Sequence, residues 1–240
     1  MTMNAFRIQD PLDLHKLFRA FRSLGGIGWI FRGQADSSWP LIPKAGRPEF
    51  RNGNDLGRFN AWRRRAFAHG PLPDNDWECL AIAQHYGLAT RLLDWSCNPL
   101  IASYFAVNER PECDGVIYCF LPSLFIDCKT LAIEEQLEQV VAYLPRAIDQ
   151  RVSRQSGVFT VHNDAISDIE IKELDPPLSG TNLVRIEIPW QHKLPILVML
   201  DDYGVNGHGI FPDLDGLSRY INWQTNEIVR KISLHDNESD

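Results

Sequence analysis

The sequence lacks any apolar stretch long enough to cross a bilayer. The longest runs, such as residues 194–200, are far too short, and residues 1–10 contain no apolar signal-peptide core. Basic residues are also scarce relative to acidic ones, with 24 Lys and Arg against 31 Asp and Glu and a net charge of −7. This balance argues against a general binder of phosphate backbones, while a local basic groove stays compatible with it. We therefore expect a cytoplasmic protein without membrane contact.

Motifs of several familiar chemistries are missing as well. The sequence contains no Gly-x-Gly-x-x-Gly, no Gly-x-x-x-x-Gly-Lys-Ser/Thr, no Gly-x-Ser-x-Gly and no His-Glu-x-x-His. Its seven histidines lack ligand spacing, and its five cysteines match neither a zinc site nor a disulfide framework. We therefore expect no metal, and cysteines that stay reduced in a reducing compartment.

The residues that are present predict one mixed domain over residues 1–240. Apolar residues make up 44% of the chain, and seven Trp with twelve Phe supply large core side chains. Predicted short strands and helices are mixed without a regular β-α-β rhythm. We therefore predict an α+β fold, with a small mixed or split antiparallel sheet flanked by helices. Terminal helices are predicted over residues 10–24 and 213–232.

Local signals predict the remaining elements. Alternation over residues 27–32 indicates a strand that delivers Arg32 and Gln34 at its end. Further strands are predicted over 116–121, 156–162 and 183–188, and helices over 55–69, 77–86, 127–141 and 194–203. Gly87 is expected to end one helix, and Asn98 with Pro99 to begin the next.

The densest group of polar side chains lies in residues 84–96, between two apolar helical segments. It holds an imidazole, a phenol, a guanidinium, a carboxylate and two hydroxyls, from His85, Tyr86, Arg91, Asp94, Thr90 and Ser96. Polar groups between buried helices must be paired or must line a cavity. Both interpretations stay open: a pocket wall, or a structural connection in which Arg91 pairs with Asp94 and His85 is a hydrogen-bonded core histidine.

Two further clusters add candidates. In residues 31–34, Arg32 offers a fork that suits phosphate or carboxylate, and Gly33 would let a ligand approach the main chain closely. In residues 151–162, two arginines and Gln155 precede a strand that presents Thr160 and His162 on one face. The alternatives are a surface or bridging arginine in the first case and an edge strand with solvated cations in the second.

Several segments resemble the FRG-domain family, which takes its name from a Phe-Arg-Gly motif. They are Phe31-Arg32-Gly33 with Trp39, Gln84-His85-Tyr86-Gly87, Thr90-Arg91-Leu92-Leu93-Asp94-Trp95, Asn98-Pro99 and Tyr104-Phe105-Ala106. The resemblance extends over about residues 27–220. The sequence departs from the family pattern at Ala89, where a proline is expected, and at Ser96, where threonine is commoner.

The motif order resembles that of the ADP-ribosyltransferase superfamily, which implies NAD as substrate and a protein or nucleic acid as target. The FRG-domain family is found often in bacteria and phages, which implies a role in bacterial or phage conflict. By this resemblance the candidate catalytic residues are His85, Asp94 and Gln155, and the candidate NAD-binding residues are Arg32, Gly33, Gln34, Tyr86, Thr90, Arg91 and Arg154. Gln155 stands near the position of the usual catalytic glutamate but supplies no negative charge for an oxocarbenium-like ribose, so Asp94 is the alternative carboxylate.

Other functions remain open at this point. The main alternative is a non-catalytic module that binds a nucleotide or a phosphate-bearing ligand. A nuclease-like role, to which the basic run at residues 63–65 would contribute, and a structural interaction protein are the others.

Overall fold

A mixed seven-stranded sheet organises the fold. The computed structural model describes residues 5–25, 28–126, 131–135, 140–145, 156–162 and 183–226. The strands are β1 (Ala5–Arg7), β2 (Ile30–Gln34), β3 (Leu92–Ser96), β4 (Gly115–Phe120), β5 (Val141–Tyr143), β6 (Gly157–Val161) and β7 (Leu183–Ile188). They lie in the order β1-β7-β4-β2-β3-β6-β5, with β1 parallel to β7 and the other neighbours antiparallel. The predicted α+β class with a mixed sheet is confirmed.

Seven helices flank this sheet in the part of the chain that the structure describes. They are α1 (Asp13–Gly25), α2 (Asp55–Ala66), α3 (Asp76–His85), α4 (Pro99–Val107), α5 (Trp190–Asp202), α6 (Gly207–Ile210) and α7 (Leu214–Gln224). The side chain of Asn98 accepts a hydrogen bond from the main chain of Leu100, and Pro99 occupies the first turn of α4, as predicted. Gly87, with φ of 90°, follows the end of α3.

The helices pack in two groups against the sheet. Helices α1, α4 and α5 form one core with β2, β4 and β7, centred on Phe18, Ile117 and Ile196. Helices α2 and α3 form a second core with β3, β5 and β6, centred on Phe59 and Trp77. Cross-strand partners share a face of a sheet, so the pairs that link β2 to β3 and β3 to β6 place both groups on one face. A space remains between the groups above β2 and β3.

Two glycines let α4 approach the sheet at main-chain distance. A methyl group on Gly33 of β2 would lie 2.7 Å from the nitrogen of Ala106 and 2.9 Å from the carbonyl carbon of Ala102, and closer still to the Ala102 oxygen. A methyl group on Gly115 of β4 would overlap the carbonyl oxygen of Ala106. The position of α4 over these strands is therefore set by contacts between main chains.

The sheet is nearly divided between β2 and β3. Their ladder consists of one residue pair, Phe31 with Ser96. Beyond this pair a side chain replaces the main-chain hydrogen bonds between the strands: the Arg32 Nη1 donates a hydrogen bond of 2.7 Å to the carbonyl oxygen of Asp94. This seam lies below the space between the two helix groups.

Several predicted elements require correction. Residues 92–96, predicted as part of a connection, form β3, and Val141, predicted to end a helix, begins β5. Of that helix over 127–141, residues 131–135 contain a turn, and 127–130 and 136–139 lie outside the described residues. The N-terminal helix begins at Asp13, later than predicted, and the C-terminal helix, predicted over 213–232, is Leu214–Gln224 in the structure, which does not describe residues after 226. Among the described residues, no helix combines the length and apolarity needed to traverse a bilayer.

Candidate functional site

A cleft of about 370 Å³ lies over the seam between β2 and β3. Its floor comes from the two strands, one wall from the end of α3, the other wall from α4, and Phe211 closes one side. The described lining residues are Phe31, Arg32, Gly33, Gln84, His85, Asp94, Trp95, Ser96, Ile101, Ala102, Phe105 and Phe211. Four predicted site residues, Arg32, Gly33, His85 and Asp94, are thereby brought together from separate segments.

Arg32 is the most unusual group in this cleft. Its side chain is only 16% exposed, and the structure gives it one hydrogen bond, to the Asp94 carbonyl. The Asp94 carboxylate stands 3.9 Å away, and the Arg32 Nε is buried without a hydrogen-bond partner. Burial lowers the pKa of the guanidinium, and Arg47 lowers it further while Asp94 opposes the shift. A guanidinium has five N–H donors and remains charged, so most of its donor capacity is unused here.

A second cavity, of about 120 Å³, shares Arg32, Gln84 and Asp94 with the cleft. It adds Lys44, whose amino group donates 2.8 Å to the Gly87 carbonyl, and Arg47, which is exposed. Three cations therefore surround this small volume with one carboxylate. Lys44 and Arg47 were not predicted as site residues from the sequence. They lie in a proline-containing loop, where no periodic pattern indicates which side chains face a site.

The side chains of His85 and Tyr86 point in different directions at the end of α3. His85 is half-buried and lines the cleft, with its ring edge-on to Tyr86 at 5.2 Å between centroids. Tyr86 is 74% exposed and lines a different groove, between α2 and α3. The predicted place of Tyr86 beside the ligand in the cleft is therefore wrong, because α3 ends at His85 and the next residue turns outward.

Thr90 and Gln34 are buried supports that do not line the cleft. Thr90 is 1% exposed, donates its hydroxyl hydrogen to the Gln84 Oε1 and accepts from the amide of Leu92 at 3.1 Å. Gln34 is 6% exposed and donates to the carbonyl of Pro40 at 3.3 Å. Direct ligand contact was predicted for both residues. In the structure their side chains instead hold neighbouring main chain and the Gln84 amide in place.

Arg91 binds a partner other than the predicted one. Its Nε and Nη2 donate to the two carboxylate oxygens of Asp55 at 2.6 and 2.9 Å, so the predicted Arg91–Asp94 pair is wrong. Burial opposes ionisation of Asp55, yet the hydrogen bonds and charge of Arg91 hold the pKa of Asp55 below its usual value. Arg91 therefore joins the start of α2 to the strand β3 and lies outside the cleft.

Gly33 also has a role other than the predicted one. It lines the cleft, but the space that its side chain would fill is occupied by the main chain of α4. The missing side chain therefore serves helix packing, and the prediction that it admits a ligand is corrected.

A buried polar chain lies behind Arg32. The Trp95 Nε1 donates 2.8 Å to the Thr160 Oγ1, which stands 2.9 Å from the His162 Nε2, so Thr160 and His162 do share a face as predicted. His162 is 2% exposed, and burial together with the charge of Arg32 lowers its pKa to about 4. A neutral imidazole therefore stands near the guanidinium at neutral pH, which avoids a second buried positive charge.

Two predicted site residues, Arg154 and Gln155, lie outside the described residues. The candidate catalytic role of Gln155 and the NAD-binding role of Arg154 stay predictions. Among the residues that are described, no group of three or more His, Cys, Asp or Glu is arranged to hold a metal ion.

One comparison with known families gives a match. Residues 28–114 match the sequence model of the FRG domain, a shorter stretch than the predicted extent of about 27–220. The matched segment runs from the residues before β2 to the turn before β4 and contains Arg32, His85 and Asp94. No curated protein and no solved structure matches the chain.

Proposed function

Because residues 28–114 match the FRG domain, and because those residues supply all of the described cleft lining except Phe211, we propose that the chain is an NAD-dependent, ADP-ribosyltransferase-like enzyme. It acts in the cytoplasm on a protein or nucleic acid, in bacterial or phage conflict. The observation that carries the proposal is the Arg32 guanidinium, which is largely buried and charged, donates one hydrogen bond to a main-chain oxygen among the described residues, and has its nearest carboxylate, that of Asp94, 3.9 Å away and mostly exposed. Burying such a charge is costly unless a partner binds it, so the site favours an anionic ligand.

The shape and charge of the two cavities suit a dinucleotide. Arg32 stands where the cleft meets the small cavity with Lys44 and Arg47, a suitable place for a diphosphate. The cleft is flanked by Phe105 and Phe211, whose rings lie 6.0 Å apart at 89°, and these offer apolar surface to a ribose or base. Its volume of about 370 Å³ falls within the range of ordinary ligand pockets.

The proposed reaction is transfer of ADP-ribose from NAD to an acceptor. The bond between the ribose C1′ and the nicotinamide nitrogen breaks, and nicotinamide leaves with the bonding electron pair. A nucleophile of the acceptor forms the new bond at C1′ and gives up its proton, for which the His85 imidazole on the cleft wall is the candidate base. The Asp94 carboxylate, which lines both cavities, stabilises the positive charge that develops on the ribose.

A second function, a non-catalytic nucleotide-binding module, is favoured by one observation. The Asp94 side chain is 62% exposed, and it is the only acidic residue among the described residues that line the cleft. A solvated carboxylate stabilises positive charge less than a buried one does, because water screens it. This alternative predicts binding of NAD or ADP-ribose without release of nicotinamide.

The test combines calorimetric binding of NAD with chromatographic measurement of nicotinamide release. We expect Arg32→Gln to weaken NAD binding by at least 30-fold, since removing one partner of a buried charged contact costs about 2–5 kcal/mol. Asp94→Asn should retain binding and lose release. Arg47→Ala should weaken binding by about three- to tenfold, as a rim charge, whereas Arg19→Ala, an exposed arginine on α1, should have no effect.

The outcomes separate the two functions. If NAD binds but no nicotinamide is released with any of the protein and nucleic-acid targets that are supplied, the proposed enzyme is rejected in favour of the binding module. If neither NAD nor ADP-ribose binds or raises the melting temperature at millimolar concentration, both are rejected. Circular dichroism of each variant shows whether a loss of binding reflects a loss of fold.

A further inference from the structure

An open groove of about 780 Å³ lies beside the cleft, between α2 and α3. Its walls are mainly apolar, and the side chains of Trp62, Leu72, Ile82 and Leu88 contribute to them. None of the described residues that line it is acidic. An apolar groove of this kind on the surface of a folded chain marks a binding site for a ligand or a partner.

The charge of this groove is opposite to that of the whole chain. Arg65 and His69, both exposed, stand at its rim, and no described carboxylate pairs with either. Arg58 also lines it but is already bound to the carbonyls of Ala89 and Phe50. Residues 41–92 hold eight Lys and Arg against five Asp and Glu, whereas the chain has a net charge of −7. The groove therefore attracts acidic partners.

The groove and the cleft meet at one side chain. His85 lines both of them. A molecule seated in the groove therefore reaches the place where, in the proposed function, the acceptor nucleophile loses its proton. A ligand that bound only in the groove would not need the groove to be connected to the cleft.

We propose that the groove binds an acidic polypeptide segment with apolar side chains, and that this segment presents the acceptor to the cleft. Presentation of the acceptor to the cleft rests on the proposed function, whereas binding of the segment in the groove does not. The aliphatic walls favour polypeptide over a nucleic-acid strand, because single-strand sites rely on successive aromatic platforms beside cations that follow the phosphates. Here the aromatic rings that line the groove, among the described residues, belong to Trp62, Tyr86, His69 and His85, and aliphatic side chains make up most of the remaining wall.

The experiment uses the full chain to select binders from a degenerate dodecapeptide phage library. We expect enriched peptides to carry Asp or Glu next to apolar residues. A labelled consensus peptide, measured by fluorescence anisotropy, should bind at least tenfold more weakly to the double variant Arg65→Glu with His69→Glu. The control double variant His15→Glu with Arg19→Glu, at two exposed positions on α1, makes the same charge change and should alter affinity less than twofold.

Three results would overturn the inference. They are enrichment of peptides without acidic residues, equal affinity of the double variant for the consensus peptide, and tighter binding of a dT15 oligonucleotide than of the peptide at the same salt concentration. NAD calorimetry on the same proteins separates this inference from the proposed function. The double variant should bind NAD normally, and Arg32→Gln should bind the peptide normally. Peptide binding without NAD binding would reject the proposed enzyme and keep the docking groove.

Discussion

Replacing Gly33 with alanine tests whether main-chain contact sets the position of α4. The new methyl group would lie 2.7 Å from the Ala106 nitrogen and 2.9 Å from the Ala102 carbonyl carbon. Ordinary contacts of a carbon atom are about 3.5–4.0 Å, so α4 must retreat by at least about 1 Å, and by more where the Ala102 oxygen lies closer still. Overpacking costs about 1–3 kcal/mol, and we expect about 3 kcal/mol because the opposing atoms belong to a buried main chain. For a chain of this size that lowers the melting temperature by about 6–12 °C.

The assay is thermal and urea denaturation of the wild type and two variants. Gly57→Ala is the matched control, because the atoms nearest to its methyl group belong to the exposed side chain of Asn54, the residue that caps α2, and lie at 3.2 Å or more. There the helix propensity of alanine favours the variant by up to about 1 kcal/mol, so stability should be unchanged or higher. A loss below about 0.5 kcal/mol in Gly33→Ala, accompanied by a loss of NAD binding, would refute the packing role and restore the original prediction of ligand approach.

Two further predictions concern buried titratable groups. Since the pKa of His162 falls to about 4 from the ordinary 6.5, the unfolded chain takes up a proton that the folded chain does not. Stability should therefore fall by about 3 kcal/mol as the pH drops from about 6.5 to 4. His162→Gln should flatten that part of the denaturation profile, and an unchanged slope would contradict the assignment. Lys193, 2% exposed, donates to three main-chain carbonyls at 2.5–3.0 Å. Lys193→Met should cost about 3 kcal/mol in urea denaturation, whereas Lys16→Met, at an exposed ion pair, should cost less than about 0.5; equal losses would count against the reasoning.

Elements with local end signals were predictable from the sequence. Asn98 and Pro99 fix the start of α4, because a side-chain acceptor and a residue without an N–H suit the first turn of a helix. Gly87 marks the end of α3 because it adopts a positive φ that other residues avoid. Strand β7 was predicted with its observed bounds, since its alternating pattern and β-branched residues are typical of a strand.

Strand β3 was missed for a physical reason. Its burial pattern places the exposed Asp94 between residues that are buried on both faces of the sheet, so no apolar alternation appears in the sequence. What makes it a strand is its pairing with β6, five residue pairs that join segments more than sixty positions apart. Tertiary pairing of this kind overrides local preference.

The candidate site was predictable only in part. Arg32, His85 and Asp94 were chosen because their residue types and motif order matched a family pattern, and the fold brings them to one cleft. The partner of Arg91 was not predictable, because Asp55 lies 36 residues away and nothing local distinguishes it from Asp94. The direction of a side chain from a loop or a helix end depends on packing, and this explains the error at Tyr86.

The seam between β2 and β3 has a consequence for how the molecule avoids unwanted association. A strand edge usually offers polar main chain to any other strand that comes near, and proteins must guard against aggregation there. Here the ladder of the two strands ends after one pair in the middle of the sheet, with α3 and α4 standing on either side. Because the seam lies inside the sheet, with α3 and α4 over it, main chain that is left unpaired there is sterically closed to a foreign strand.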